Sequence, residues 1–507
     1  MVGILAGCAS LPLDVDRVPS RAIAGSEDTP LARIVASSLS KNDDSGFRFI
    51  PNGVYALDTR IELIMRAVSS IDLQYYLLAN DTAGHHVMRA LRDAAVRGVR
   101  VRLLLDDLYT AKEGDLLAGL AAYPNVEIRL FNPFPGLRVT LATRVISSLF
   151  DINRLNHRMH NKLMVVDGVL AIAGGRNIAD EYFNSSVTGN FVDDDLLIAG
   201  SLVPHLADAF DIYWNSRYVY PLRALDGNVR SNPEARRKFE TLTAEKGSQP
   251  AVRMPANDIL GYGFVGRELD RGRIDLVPGL GFVYYDLPSK IGAGDIKGLN
   301  SVSFDVMSLM QAARSSLVIC NPYFIPGERG MALIDEERAR GVKINILTNS
   351  LSSNDAPLAY IGYARYREAM LRAGVDLYEL SGKPFQHLKG FGDFRSSGGG
   401  LHAKQAVIDG TTVYIGSMNM DPRSRDTNTE IGIVVESPKL SRELLKIIEL
   451  AEFGSSYRLR FGPDGHSIQW LDTHGAKAEI FTKEPESSFI ERLKVDLLAP
   501  FAPEELL

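Results

Sequence analysis

One motif is written twice in this chain: HNKLMVVDGVLAIAGGRN begins at His160 and HAKQAVIDGTTVYIGSMN begins at His402. The likeness extends far upstream, where AAVRGVRVRLLLDDL around Gly98 is echoed by ERARGVKINILTNSL around Gly341. In both halves an Ser-rich start leads into an apolar strand (SSIDLQYYLL; SSLVICNPYFI), and an amphipathic helix then runs to RGV and a second strand. A third strand follows (NVEIRLF; GVDLYEL). Strands alternating with helices in this way predict an α/β fold, each repeat a mixed, mostly parallel sheet flanked by helices. Two copies of one unit in one chain predict packing about an approximate two-fold axis.

Three divisions follow. Residues 1–44 read as an N-terminal tether, being rich in Ser, Pro, Asp and Ala without sustained periodicity. The first repeat takes 45–245 and the second 246–507, with the boundary in a stretch where charge and Pro/Gly/Asn density rise. At 507 residues the chain is long enough for each repeat to bury its own core. A formal net charge of −6 supplies no basic field for nucleic acid, so no nucleic-acid partner is expected. The two cysteines, Cys8 and Cys320, are too few for a disulfide framework and lack zinc-site spacing.

Within each motif the histidine and lysine are two residues apart, followed by alternating apolar residues, so both side chains leave one face of a strand. Asp167-Gly168 and Asp409-Gly410 read as two-residue hairpin turns that return the chain along VLAIAGG or TTVYIGS. One such hairpin has an ordinary structural explanation. Two in equivalent places of a repeat, with Gly174 matching Gly416 and Asn177 matching Asn419, point to shared chemistry.

The pattern His160-x-Lys162-x4-Asp167 with His402-x-Lys404-x4-Asp409 resembles the phospholipase D superfamily, and the likeness covers nearly everything after residue 45. The resemblance implies that both motifs, with Asp167 and Asp409 counted among the catalytic residues, meet in a single active site, with no cofactor and no metal. Lys162 and Lys404 would neutralise charge developing on a phosphodiester, while Asn177, Asn419 and Ser417 would bind substrate. One histidine attacks phosphorus and the other exchanges protons with the leaving and entering alcohols. His160 is the expected nucleophile and His402 the expected acid/base. Each imidazole needs a carboxylate on its far nitrogen. Glu430 in NTEIGIVV is expected beside His402, and Asp195 or Asp193 of FVDDDLLIAG beside His160.

LFNPFPGLRVTLATRVISSLFDINRLNHRMHNK, GGRNIADEYF and NPYFIPGERG are similar to the bacterial cardiolipin synthase group, most of all its C-type branch. That implies a phosphatidyltransferase that condenses phosphatidylglycerol with a second phospholipid, such as phosphatidylethanolamine, at a membrane surface. Hydrolysis to phosphatidic acid is the alternative, and a nuclease of the same superfamily a more distant one. An accessory protein is compatible with this reading, and the oligomeric state is left open. Phe131 to Phe150, which mixes apolar residues with Arg138 and Arg144, reads either as an acyl-chain entrance or as a packing segment. Leu5-Ala6-Gly7-Cys8 resembles a bacterial lipobox, which implies a membrane-associated lipoprotein lipidated on Cys8; a chance small-residue tetrapeptide is the alternative, since no basic segment precedes it.

Overall fold

The computed structural model describes residues 11, 12, 14–40, 42, 44–135, 152–225, 233–244, 256–292, 301–383, 398–472 and 478–501. In the first repeat the strands are β1 (Ser45–Ile50), β2 (Ser70–Tyr75), β3 (Arg100–Asp106), β4 (Val126–Phe131), β5 (Leu163–Val166), β6 (Leu170–Gly174), β7 (Gly189–Val192), β8 (Asp195–Gly200) and β9 (Val219–Pro221). The second supplies β10 (Val277–Tyr285), β11 (Ser316–Cys320), β12 (Lys343–Asn349), β13 (Asp376–Leu380), β14 (Gly398–Leu401), β15 (Gln405–Ile408), β16 (Thr412–Gly416), β17 (Ile431–Glu436) and β18 (Ser456–Phe461).

Pairing is parallel where helices make the connection, at β2–β3–β4 and again at β11–β12–β13. It is antiparallel where the motif hairpins return, at β5–β6 and β15–β16. The sheet is therefore mixed, as expected, but not mostly parallel: in each repeat parallel pairing is confined to the three strands joined by helices, and the hairpin returns make most of the remaining pairs antiparallel. Across the molecule it is continuous, because β1 pairs antiparallel with β10, its counterpart in the other repeat, through Ser45–Gly279, Gly46–Pro278 and Phe47–Val277. The approximate two-fold axis passes through that seam. From it the order β8, β6, β5, β2, β3, β4 on one side matches β17, β16, β15, β11, β12, β13 on the other.

Both predicted Asp-Gly turns form. Asp167 and Gly168 have φ of 50° and 66°, and Asp409 and Gly410 have 53° and 63°. Two successive positive φ values match the twist of a tight hairpin, which Asp and Gly tolerate best.

The apolar side chains form one cluster under the outer helices of each repeat and a third shared between the repeats. The shared cluster joins Phe47, Ile198 and Val277 to Ile433, Leu444 and Ile447, with helices Leu202–Trp214 and Pro438–Ser455 covering the seam. Trp214 is fully buried there and its Nε1 donates to Ser20 Oγ at 2.9 Å, as fits a core anchor.

The start of the chain departs from the expected free tether. Arg17 Nε donates to the Val219 carbonyl at 2.7 Å, Ala22 N donates to Asp211 at 2.7 Å, and Arg129 holds the Val18 carbonyl. Helix Pro30–Ser38 follows, capped by Thr29 and pinned by the buried Leu31. The segment lacks periodicity because it docks through backbone groups, which leave no hydrophobic pattern in the sequence. Cys8 and the boundary expected near residue 245 lie outside the described residues.

Candidate active site

His160 enters the site from the chain just before β5, and His402 from β14 just before β15. Each is secured by the opposite repeat. β14 pairs in parallel with β7, ending at Leu401–Val192, and the His402 N–H donates to the Val192 carbonyl at 2.8 Å. On the other side Met159 and Thr429 form a parallel bridge, and the His160 N–H donates to the Thr429 carbonyl at 2.8 Å.

This register decides the carboxylates. The residues following Leu401 and Val192 are His402 and Asp193, and those following Met159 and Thr429 are His160 and Glu430. His402 Nδ1 accordingly lies 2.7 Å from Asp193 Oδ2, and His160 Nδ1 lies 3.0 Å from Glu430 Oε2. The expected pairing is therefore corrected on both sides: Glu430 serves His160, not His402, and Asp193 serves His402, not His160. Asp195 serves neither; buried at the start of β8, its Oδ2 accepts from Arg60 at 2.9 Å and Arg176 at 3.2 Å. It lies three residues beyond the end of the crossover pairing, where the chain has turned back into its own sheet.

Both Nδ1 atoms face acceptors; His160 Nδ1 also lies 3.0 Å from the Ser417 carbonyl. The Nδ1 proton is thus committed and each Nε2 keeps its lone pair for chemistry. The rings are steadied edge-on by aromatics, His160 by Tyr76 and His402 by Tyr182, each at 5.0 Å between centroids. His160 and His402 retain 7% and 6% exposure. Burial pushes both imidazoles down to about 4, with Glu430 or Asp193 pulling upward and the two lysines pushing further down. Both are neutral at pH 7 in the free protein.

Lys162 and Lys404 each donate to the backbone carbonyl of their own motif histidine. Burial lowers the Lys404 ammonium to about 8 and drives Lys162 well below the usual lysine range, each lysine sensing carboxylates from both repeats. Burial by itself would raise Glu430 and Asp193, but the partner imidazole and nearby lysines hold both below their ordinary values. An anion placed among these groups would reverse the push on the imidazoles and ammoniums.

The remaining expected residues divide. Ser417 Oγ donates to Glu430, and Ser424 Oγ, which the sequence reading missed, donates to its other oxygen at 2.8 Å. The Asn419 N–H donates to Ser424 Oγ at 3.1 Å, and its buried Oδ1 has no partner within the described protein. Asn177 accepts from Leu77 N and donates to the hydroxyl of Tyr182, the ring against His402. Asp167 and Asp409, expected in the catalytic set, sit instead at the far ends of β5 and β15, ~20 Å of extended chain from their histidines. Asp167 accepts from the N–H groups of Val68, Ser69 and Ser70, and Asp409 from those of Arg314, Ser315 and Ser316. They tie the turn to the loop entering β2 or β11. Arg423 reaches Asn156 of the first repeat at 3.0 Å, and Arg425 pairs with Asp426. Residues 136–151, with Arg138 and Arg144, lie outside the described residues.

The family model described as "Cardiolipin synthase, PLD-like domain" matches residues 61–214 and again 306–450, one match on each repeat. The chain belongs to this phospholipase D-like family. Among relatives of this phospholipase D-like chain, cardiolipin synthase C of Escherichia coli strain K12 is 38% identical over 89% of this chain and 94% of its own. A cardiolipin synthase of Staphylococcus aureus is 26% identical over 79% of this chain and 66% of its own. The crystal structure of phosphatidylserine synthase from Haemophilus influenzae superposes with a TM-score of 0.57 at 16% identity, covering 93% of this chain and 96% of that one. That likeness extends the shared phospholipase D-like fold over both repeats.

Proposed function

We propose that this protein is a phosphatidyltransferase that makes cardiolipin from phosphatidylglycerol and a second phospholipid such as phosphatidylethanolamine. The observation that carries the reading is the exchanged pair of imidazoles, each with its Nδ1 held by a carboxylate of the other repeat and its Nε2 left for reaction. In the first step His160 Nε2 bonds to phosphorus, the bond from phosphorus to the headgroup oxygen breaks, and His402, which takes up a proton when the phosphodiester anion binds beside it, gives that proton to the departing alkoxide. In the second, His402 takes the proton of a phosphatidylglycerol hydroxyl, whose oxygen bonds to phosphorus as the His160–phosphorus bond breaks. Lys162 and Lys404 offset charge on the phosphoryl oxygens throughout. The unpartnered buried oxygen of Asn419 supports a substrate-binding role, that of accepting from a substrate hydroxyl.

The same reading puts the protein at a membrane. Among the described residues no helix is long and apolar enough to cross one. Attachment through a lipid on Cys8 is the proposed means, and the repeats are assigned to 45–245 and 246–507. Purified protein given labelled phosphatidylglycerol, with and without phosphatidylethanolamine, tests the reaction. Cardiolipin that requires both lipids supports transfer between them; phosphatidic acid alone makes the enzyme a hydrolase, and cleavage of DNA without lipid turnover overturns the proposal.

A further inference from the structure

β3 and β12, the central strands of the two parallel trios, end on equivalent residues of the repeat, Asp106 and Asn349. Both are buried, with 0% and 1% exposure. Each side chain holds the residue that immediately precedes a motif histidine. Asp106 Oδ2 accepts from the Met159 N–H at 2.8 Å. Asn349 Oδ1 accepts from the Leu401 N–H at 2.7 Å, and its Nδ2 donates to the Leu401 carbonyl at 2.9 Å.

The placement follows from strand geometry. Successive residues of a strand present their backbone groups to alternate sides. The His402 N–H faces β7 and donates to the Val192 carbonyl, so the N–H and C=O of Leu401 face away from β7, where the Asn349 amide meets both as a neighbouring strand would. The first motif repeats the step: the His160 N–H goes to Thr429 of the other repeat, and the Met159 N–H goes to Asp106 of its own. Each histidine is thus held from one side by the opposite repeat and, one residue earlier, from the other side by its own central strand. The two holds differ in chemistry. A carboxylate only accepts, and Asp106 completes its set with the Leu108 N–H at 2.9 Å and Arg158 at 3.3 Å. An amide accepts and donates, and Asn349 uses both ends on Leu401. The imidazoles take their hydrogen bonds elsewhere, so both residues act through a single stretch of backbone.

We propose that Asp106 and Asn349 are positioning residues of the transfer reaction, Asp106 fixing the place of His160 Nε2 and Asn349 that of His402 Nε2. The inference rests on the proposed reading of His160 as nucleophile and His402 as acid/base, and adds to it one residue from each central strand. It separates the two by their effect on the first step. A displaced nucleophile slows attack on every substrate, whereas a displaced acid slows only the departure of alcohols that must be given a proton.

The test follows first-turnover release of the alcohol by the full chain from two donors, phosphatidylethanolamine and phosphatidyl-4-nitrophenol, whose nitrophenolate leaves without a proton. Asn349→Asp sets a carboxylate oxygen against the Leu401 carbonyl, and should slow ethanolamine release about 100-fold, the cost of misplacing a reacting group by about an ångström. Nitrophenolate release should slow by less than about fivefold. Asn349→Ala carries the same prediction should the charged variant not fold. Asp106→Ala should slow both releases about 100-fold, and Asp106→Asn, whose amide oxygen can still accept from Met159, about tenfold for both. Equal slowing of the two releases by the Asn349 variants, no slowing at all, or Asp106 variants that spare nitrophenolate would each overturn the inference. His402→Ala is the reference, expected to lose ethanolamine release and keep that of nitrophenolate. Loss of both there overturns the assignment of roles and the inference with it, whereas a normal reference with discordant Asn349 variants overturns the positioning alone. Release of the alcohol is read whether water or phosphatidylglycerol then accepts the phosphatidyl group, so failure of the transferase reading is scored separately by the lipid product.

Discussion

The two sides of the site perform the same geometric task with different parts. On the His160 side the orienting carboxylate is Glu430, and hydroxyls from Ser417 and Ser424 each donate to it. On the His402 side it is the shorter Asp193, held by the Asp194 N–H at 2.8 Å. The position matching Ser417 is Gly175, where an added Cβ would lie 2.1 Å from the Asp193 carboxylate. A serine therefore fits where the carboxylate arrives on a longer arm, and only glycine fits where Asp193 fills the space. The rings differ too, since His402 packs against both Tyr182 and Phe191 while His160 meets Tyr76. An approximate two-fold axis thus yields two imidazoles in unlike surroundings, which is what a nucleophile and an acid/base require.

The strongest way to break the comparison is to remove one imidazole at a time. His160→Ala and His402→Ala should each lower cardiolipin formation by ~1,000-fold or more, since nucleophile and proton carrier act as a unit. They should differ in labelling: with a phospholipid labelled in its phosphate, His402→Ala should retain label on the protein and His160→Ala should retain none. The reverse result would exchange the two roles.

The crossed carboxylates come next. Glu430→Gln and Asp193→Asn should each cost about 100-fold in kcat, because an amide no longer stabilises the imidazolium that forms. Rapid-quench measurement should find that Glu430→Gln chiefly slows formation of the labelled protein, whereas Asp193→Asn slows both its formation, as the alcohol departs, and its discharge to the acceptor. Identical effects of both on labelling would break the assignment of one carboxylate to each histidine.

Smaller changes sharpen it. Ser424→Ala removes one donor to Glu430, worth roughly 1.5–3 kcal/mol for a hydrogen bond to a charged group, and should reduce kcat about tenfold. It should also move the acid limb of the rate profile upward, because a hydroxyl donated to the Glu430 carboxylate favours its charged form, which His160, Lys162 and Ser417 already hold below its ordinary value. The equivalent insertion, Gly175→Ser, should be the more damaging, since it drives a side chain into Asp193. An unmoved acid limb in Ser424→Ala would show that the hydroxyl packs without tuning the carboxylate.

The smallest effects should fall on stability. Asp167→Asn and Asp409→Asn weaken three backbone hydrogen bonds each, and Asp167 is the more buried, so urea unfolding should show about 1–3 kcal/mol lost at Asp167 and less at Asp409. Backbone N–H donors hold Asp409 below its ordinary value against burial, so its share is present above about pH 4 and fades as pH falls further. The active-site histidines act at higher pH. Folded imidazoles near 4 against an ordinary 6.5 leave their contribution intact above 6.5, and it falls away between 6.5 and 4 as the unfolded chain takes up protons.

Much of this site was legible as a pattern of periods and turns. The two-residue step from His160 to Lys162 put both on one strand face, and Asp167-Gly168 announced its own hairpin through backbone conformations that few residue pairs accept. The aspartates were misread for a related reason: as part of the repeated motif they look like chemistry, yet their spacing carries them to the opposite end of the strand. Ser424 gave no signal, since a serine in the first turn of a helix capped by Asp421 reads as ordinary and its hydroxyl meets a residue that only precedes the next strand. The docked start of the chain was hidden because backbone carbonyls and N–H groups do not appear in residue patterns.

By itself the sequence determined the repeat, the hairpins, the buried strand faces and the types of groups brought to the reaction. All depend on local period and composition, which a chain carries wherever it goes. Tertiary structure decided which carboxylate meets which histidine. That outcome follows from the parallel contacts of β7 with β14 and of Met159 with Thr429, whose partners are more than 200 residues apart and whose register places Asp193 beside His402 and Glu430 beside His160. Nothing in the spacing within one repeat distinguishes a carboxylate that serves its own histidine from one that serves its neighbour's; only the packing of the two repeats against each other does.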